Sequence, residues 1–577
     1  MPRSLGPGDW SALPSAPYSS DMAVLSFEEL VRALSDPGAY PGPAATVECV
    51  QTHISVVFLV DRLAYKLKRP KNLGFLDFTS LEDRRRFCHE EVRLNRRLAP
   101  GVYEGVVPVV LDEGVVRASV EVVESPTADP GGQVLEWAVR MVRLPGDRRL
   151  GALIKSDRVG PGELQRLAGR LARFHAAAER GSRISECAGW ENVWRNDREN
   201  FEQIEKFIGR TISVPVFEML KTLMAGELER RRALIERRAR EGVAREIHGD
   251  LRLDHVYLLP PGVPGRSERG SADASRSGEA EFVIIDCIEF NERFRWADPV
   301  SDIAFLVMEL EFIGRTDLAA AFSRAYFTAA NDSEGSELLP YYVSYRDVVR
   351  GKVRCLQSED ELLGAGARAE AAAIATRHFF RALLRLSRPS DRPALVIVHG
   401  LPGVGKSTVS QALAGASGFH WIDTDRVRKE LAAAAGAEGA GVEEYGGGIY
   451  SAEWNERTYL ECERRAREIL WSGGRVVVEG SFRRERHRVS FLETARSLGV
   501  AVLFLHCSAG PAEARSRLAK RSSDTSDANW SIHEKMARDW EAPSPSTASF
   551  TRELSLEGEP DQALLRARAI LKEEGLV

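Results

Sequence analysis

The stretch ALVIVHGLPGVGKSTVSQALA, residues 394–414, reads as a β-strand, a glycine-rich turn and a helix in immediate succession. Its centre, Gly400-Leu401-Pro402-Gly403-Val404-Gly405-Lys406-Ser407, is a full G-x-x-x-x-G-K-[ST] match continued by Thr408. Glycines let such a loop curl until its backbone N–H groups face phosphate oxygens, and the helix that follows turns its positive dipole end to the same anion. In that arrangement Lys406 neutralises the β- and γ-phosphates of a nucleotide and Ser407 holds Mg2+. ATP and Mg2+ are therefore the expected cofactors, bound by residues 400–408.

Downstream, the order strand, helix, strand, long helix, strand, helix, strand, helix argues for a parallel sheet flanked by helices. In WIDTDRVRKEL (421–431) two strand-end carboxylates, Asp423 and Asp425, precede a helix carrying Arg428 and Lys429. A carboxylate beside basic groups can take a proton from an acceptor hydroxyl and hold an anionic substrate. The strand RVVVEGSF (475–482) ends in Glu479, where P-loop enzymes usually place the Asp that orients Mg2+. RLAKRSSDTSDANW (517–530) sets Arg517 and Arg521 ahead of a Ser/Asp-rich turn, the composition of a lid whose arginines reach transferring phosphoryl oxygens. Over about 394–545 these elements resemble the small P-loop kinases and AAA-type ATP-binding domains related to gluconate, shikimate and polynucleotide kinases. The resemblance implies phosphorylation of a hydroxyl, with Asp425 as the acceptor-side carboxylate, Arg488 as a substrate or phosphate contact, and Arg517 and Arg521 as the lid.

Upstream, EIHGDLRLDHVYLL (246–259) is followed by FVIIDCIEFN (282–291) and DPVSDIAFL (298–306). Between them lies PPGVPGRSERGSADASRSGEAE (260–281), too polar and too rich in Gly and Ser to bury a core. The set resembles the catalytic core of the protein-kinase-like fold in its aminoglycoside-phosphotransferase branch, whose pattern is H-G-D-x-x-x-x-N followed by a strand ending in Asp. The resemblance implies that Asp250 accepts the substrate hydroxyl proton and that Asp286 ligates Mg2+. His255 stands where the family has a metal-binding Asn and is carried as the candidate ligand there. Neutral imidazole is a poor Mg2+ ligand, so three alternatives stay open. Asp254 or Glu289 supplies an oxygen, the domain works with one ion, or it binds nucleotide without fast transfer. Arg252 also replaces a frequent His.

A kinase-like upper lobe needs a strand lysine for the α/β-phosphates and a helical glutamate to orient it. LAYK (63–66) offers Lys66, with Lys68 on the same strand face, and DRRRFCHEEVRLNRRL offers Glu91, with Glu90 as runner-up. No G-x-G-x-x-G lies near the first strands. The order kinase-like domain, linker, P-loop domain resembles the bacterial bifunctional aminoglycoside phosphotransferase-like/ATP-binding proteins, over nearly the whole chain after residue 25. KRPKNLGFLDFTSLEDRRRFCHEEVRLNRRLAP (68–100) and DCIEFNERFRWADPVSDIAFL (286–306) carry much of that likeness.

The 577 residues divide on this reading into a disordered leader (1–25), an α+β kinase-like domain (26–386, with the insertion 260–281), a linker SRPSDRP (387–393) and an α/β P-loop domain (394–577). Hydrophobic residues are 44% and charged residues 28%, an ordinary globular balance that excludes wholesale disorder. With 79 basic and 84 acidic residues the net charge is −5, so neither nucleic acid nor an anionic membrane is the expected partner. Seven scattered cysteines without a C-x-x-C pair, no signal-peptide core and no long apolar run point to the cytoplasm. The expected activity is ATP-dependent phosphotransfer to a small hydroxylated acceptor. The alternative is a nucleotide-operated regulatory or scaffold protein whose first domain is a pseudokinase.

Overall fold

The computed structural model describes residues 25–42, 44–74, 76–128, 133–265, 280–361, 363–436, 446–520 and 528–577. The leader up to residue 24, positions 266–279 of the polar insertion, and Arg521 with the turn that follows it lie outside the described residues. The chain forms two compact units, Met1–Val193 with Arg232–Leu339, and Trp194–Arg231 with Pro340–Val577. The segment 387–393 therefore falls inside the second unit. The reason is helical packing. Val214–Arg230 and Ala365–Leu386 lie against each other, and the Ser213 hydroxyl, at the start of the first of these helices, donates to Trp471 O at 2.6 Å.

The first unit opens with strands β1 (Val47–Gln51), β2 (Ser55–Val60), β3 (Leu63–Lys68), β4 (Tyr103–Asp112), β5 (Val115–Ala118) and β6 (Val134–Val142). They form one antiparallel sheet in the order β1-β2-β3-β6-β4-β5. The run TVECVQTHISVVFLV, which looks like a single apolar strand, is a hairpin. The Thr52 hydroxyl accepts from Ser55 N at 3.0 Å and folds the chain back before β2 begins. Alternation then sorts the faces. Phe58, Tyr65 and Leu67 join a core with Leu30, Leu34 and Tyr40. Ala64, Val139 and Met141 face the opposite way with Cys88 and Val92. Lys66 and Lys68 share the parity of Ala64, so β3 points both ammonium groups toward the helix Leu81–Asn95. That helix starts at Ser80, whose hydroxyl accepts from Asp83 N, and its buried stripe includes Cys88, Glu91, Val92 and Asn95.

Beyond the sheet come β7 (Arg245–Glu246), β8 (Val256–Leu259), β9 (Glu281–Ile284) and β10 (Trp296–Ala297). β8 and β9 pair antiparallel, so the polar insertion is the connection of a hairpin. β7 pairs with β10. The helices Pro161–Ala177, Pro299–Phe312 and Thr316–Ala330 form a packed layer.

The second unit holds β11 (Ala394–Gly400), β12 (His420–Asp423), β13 (Arg475–Gly480), β14 (Ala501–Ser508) and β15 (Thr551–Ser555). All are parallel, in the order β12-β13-β11-β14-β15. β11 and β13 are buried throughout, which explains their apolar centres, LVIV and VVV, in a sheet covered on both faces. β15 escaped the sequence reading because an edge strand spelled TRELS buries only Leu554. All seven cysteines are free, and among the described residues no helix is long and apolar enough to cross a membrane.

Candidate functional site

In the second unit the strand β11 ends at Gly400, and the helix Lys406–Ser417 begins after Gly405. Two glycines are required by the close approach of this loop to its surroundings. A Cβ on Gly400, at φ +147°, would collide with Cys507 O. One on Gly403, at φ +84°, would sit 2.7 Å from the Leu518 side chain and 2.9 Å from Ala514 O. The loop curls over the helix N-terminus, and Lys406 Nζ donates to Leu401 O at 2.9 Å.

Glu479, at the end of β13, accepts from the Ser407 hydroxyl at 2.6 Å and from Trp421 Nε1 at 3.2 Å. Burial pushes its carboxyl up to about 7; Lys406 and Ser407 pull the other way, and Asp423 and Asp425 reinforce the rise. Asp423 caps the helix Thr424–Ala434 by accepting from Asp425 N at 2.9 Å. Asp425 itself remains partly exposed, with its Oδ1 3.7 Å from Nε of the buried Arg428. Arg428 also donates to Ile449 O and lies over the Tyr450 ring.

Two arginines expected to contact phosphate are engaged with the protein's own groups. Arg488 is fully buried and donates to Glu485, Phe482 O and Glu541 O, so it holds a loop together and does not face a substrate. Arg517 donates to Val404 O at 2.6 Å, to Leu556 O at 2.9 Å and to Glu513, which makes it a brace of the P-loop backbone.

The first unit assembles a second group from distant stretches. Lys66 Nζ donates to Glu91 Oε1 at 2.8 Å and to Asp286 Oδ1 at 2.5 Å. Lys68 donates to Glu91 Oε2 at 2.8 Å and to Glu289. Glu91 is thus shared by both lysines, whereas Glu90 pairs with Arg93 and Arg295. Burial alone would raise the Glu91 carboxyl, but the two lysines hold it below its ordinary value. At Asp286 burial likewise opposes ionisation and is overruled by Lys66 and then His255, which keep the carboxyl far below the usual range. Asp286 also holds φ at +68°, a left-handed conformation that costs about 1–3 kcal/mol and clusters at functional sites. Its backbone N–H donates to the Tyr103 hydroxyl.

Asp250 sits in a loop pinned from below. Asp302, in the helix Pro299–Phe312, accepts from His248 N and Gly249 N, both at 2.9 Å, and lies 3.1 Å from His175 Nε2. Glu309 accepts from Leu253 N at 2.7 Å and from Arg252. Asp250, His255 and Asp286 converge, each offering a ligand atom within 4.8 Å of the others. The two oxygen alternatives are engaged differently: Glu289 binds Lys68, and Asp254 faces Arg252 at 3.3 Å. Asp302, Tyr103 and Trp421 had no assigned role in the sequence reading. DPVSD was visible as a motif, but only the fold shows which backbone groups its second aspartate receives.

A family model described as an AAA domain matches residues 395–543, the part of the second unit that holds the P-loop and most of its parallel sheet. A sugar kinase from Janibacter sp. HTCC2649 shares 20% identity at a TM-score of 0.25, over 31% of this chain and 95% of that one. A gluconokinase from Sinorhizobium meliloti 1021 shares 20% at a TM-score of 0.26, over 33% and 95%. Over 514 residues the chain is 30% identical to uncharacterized protein Rv2004c of Mycobacterium tuberculosis (strain ATCC 25618 / H37Rv), covering 88% of this chain and 94% of that protein. The same figures hold for uncharacterized protein Mb2027c of Mycobacterium bovis. Since a likeness over 88% of the chain spans both units, the chain belongs to the family of uncharacterized protein Rv2004c.

Proposed function

We propose that the chain is an ATP-dependent phosphotransferase with a nucleotide site in each unit, acting on a small hydroxylated acceptor. The observation that carries the reading is the glycine loop 400–405 leading into a helix N-terminus, with Ser407 on Glu479 and Lys406 alongside. Oxygen donors of this kind suit Mg2+, and Ser407 and Glu479 would hold it where it would supply positive charge to neutralise phosphate oxygens. Lys406 and the loop N–H groups would orient the phosphates, and Asp425 would take the acceptor's hydroxyl proton.

For the first unit the proposal is a kinase-like site of the aminoglycoside-phosphotransferase branch. Its support is the shared geometry of the strand lysine Lys66 and the helical Glu91, with Asp286 on the same ammonium group. There Lys66 would hold phosphate oxygens and Asp250 would accept the hydroxyl proton. Supply of ATP and a cytoplasmic location belong to the same proposal. Incubating the full chain with γ-labelled ATP and a pool of small hydroxylated metabolites should transfer label to one of them. Failure to label any would remove the reading. A regulatory second reading draws on one feature, His255 in place of an oxygen ligand beside Asp286; nucleotide binding without any turnover would favour it.

A further inference from the structure

We propose that Asp250, His255 and Asp286 bind a first-row transition-metal dication through His255 Nε2, in preference to Mg2+. The inference rests on the phosphotransfer reading of the same pocket for what the ion would do there. The choice of metal comes from the donors.

His255 Nδ1 lies 2.9 Å from Asp250 O. A carbonyl oxygen only accepts, so Nδ1 carries a proton and donates it, and in the neutral ring Nε2 is the lone-pair nitrogen. That nitrogen faces Asp286 Oδ2 at 3.4 Å. Two lone pairs directed at each other repel unless a proton or a metal ion lies between them, and the metal is the alternative to imidazolium that the test below distinguishes. A metal-ligating histidine almost always donates its other N–H to a carbonyl or carboxylate, which fixes the tautomer and aims the ligand nitrogen. His255 has that arrangement.

The carboxylates fit the same division of labour. Asp286 Oδ1 is occupied by Lys66, so Oδ2 is the oxygen turned to the site. Asp250 Oδ2 lies 3.6 Å from His255 Nδ1, one of its oxygens comes within 4.8 Å of the other two ligand atoms, and both carboxylates keep some exposure, which leaves an approach from solvent. The neighbouring imidazole cannot compete. His248 Nδ1 accepts from Asp250 N at 3.3 Å, and its Nε2 donates to Ile285 O at 3.0 Å. A hard ion such as Mg2+ favours an all-oxygen shell, while imidazole draws transition metals.

The test uses the full chain carrying Lys406→Ala and Ser407→Ala, which removes the P-loop's hold on phosphate and cation. It is titrated with Mn2+, with and without ATP, and read by pulsed electron paramagnetic resonance. Bound Mn2+ should show nitrogen hyperfine coupling from an imidazole, and Mg2+ should displace it only in about tenfold or greater excess. His255→Asn should abolish the coupling and reduce that preference by about tenfold; His255→Gln serves if the asparagine variant does not fold. Absence of Mn2+ binding, Mn2+ bound without nitrogen coupling, or coupling that survives both substitutions would overturn the proposal. The two readings part in the same titration. Nitrogen-coupled Mn2+ without ATP uptake upholds the metal site and removes the phosphotransfer role. ATP uptake with nitrogen-free Mn2+ does the reverse.

Discussion

The two candidate pockets are built by opposite means. In the second unit the cradle is backbone: eight consecutive residues, curled because Gly400 and Gly403 have no Cβ, present main-chain dipoles at the end of a helix. In the first unit it is side-chain charge: Lys66, Glu91, Asp250 and Asp286 come from a strand, a helix and two loops. A backbone site is local and nearly complete once the turn forms. A charge-built site exists only when the whole unit is folded, and its buried ions depend on one another.

On the proposed function the largest effect should come at Asp250, the proposed proton acceptor of the charge-built pocket. Asp250→Asn keeps the shape but removes the proton acceptor, and phosphotransfer by the first unit should fall by about 10²–10⁴-fold in single-turnover assays. Unchanged turnover would break the parallel between the pockets. Next, Lys406→Ala should lower turnover in the second unit by about 10²–10³-fold, the usual cost of one preorganised charge, with little change in stability because Lys406 is only partly buried.

Stability should reveal the contrast more directly. Glu91→Gln leaves Lys66 and Lys68 without their shared carboxylate, a loss of about 3–5 kcal/mol that denaturant melting would register. Glu90→Gln, one residue away and partly exposed, should cost under about 1 kcal/mol. Equal effects would mean that the buried network is not what holds the first unit's helix in place.

A further expected effect lies in the second unit and depends on pH. Glu479 has a folded-state carboxyl pushed up to about 7 by burial. The folded form therefore binds its proton more tightly than the unfolded chain. Stability from this group is full below about 4.5 and is lost as pH rises through about 7, by up to about 3 kcal/mol. Glu479→Gln should flatten that slope, and Mg2+ should shift it toward lower pH by favouring the carboxylate.

Much of this was legible in the residues. Polar stretches hid β15, and one apolar run concealed the β1–β2 hairpin, because burial and turn formation depend on partners far along the chain. Arg488 and Arg517 show the same limit for sites. A basic residue near a phosphate loop spells the same whether it meets substrate or, as here, the protein's own carbonyls.

By itself the sequence determined the P-loop and the central strands beside it, since that turn's requirements are met within eight adjacent residues and β11 and β14 are written as largely apolar runs. It also named Lys66, Glu91, Asp250, His255 and Asp286. Only the tertiary structure decided that Glu91 and not Glu90 receives both lysines, and that His255 and not Asp254 or Glu289 stands with the two aspartates. A charge has no direction in a string of letters; it acquires one when packing chooses the face of its helix and the neighbour within hydrogen-bond reach.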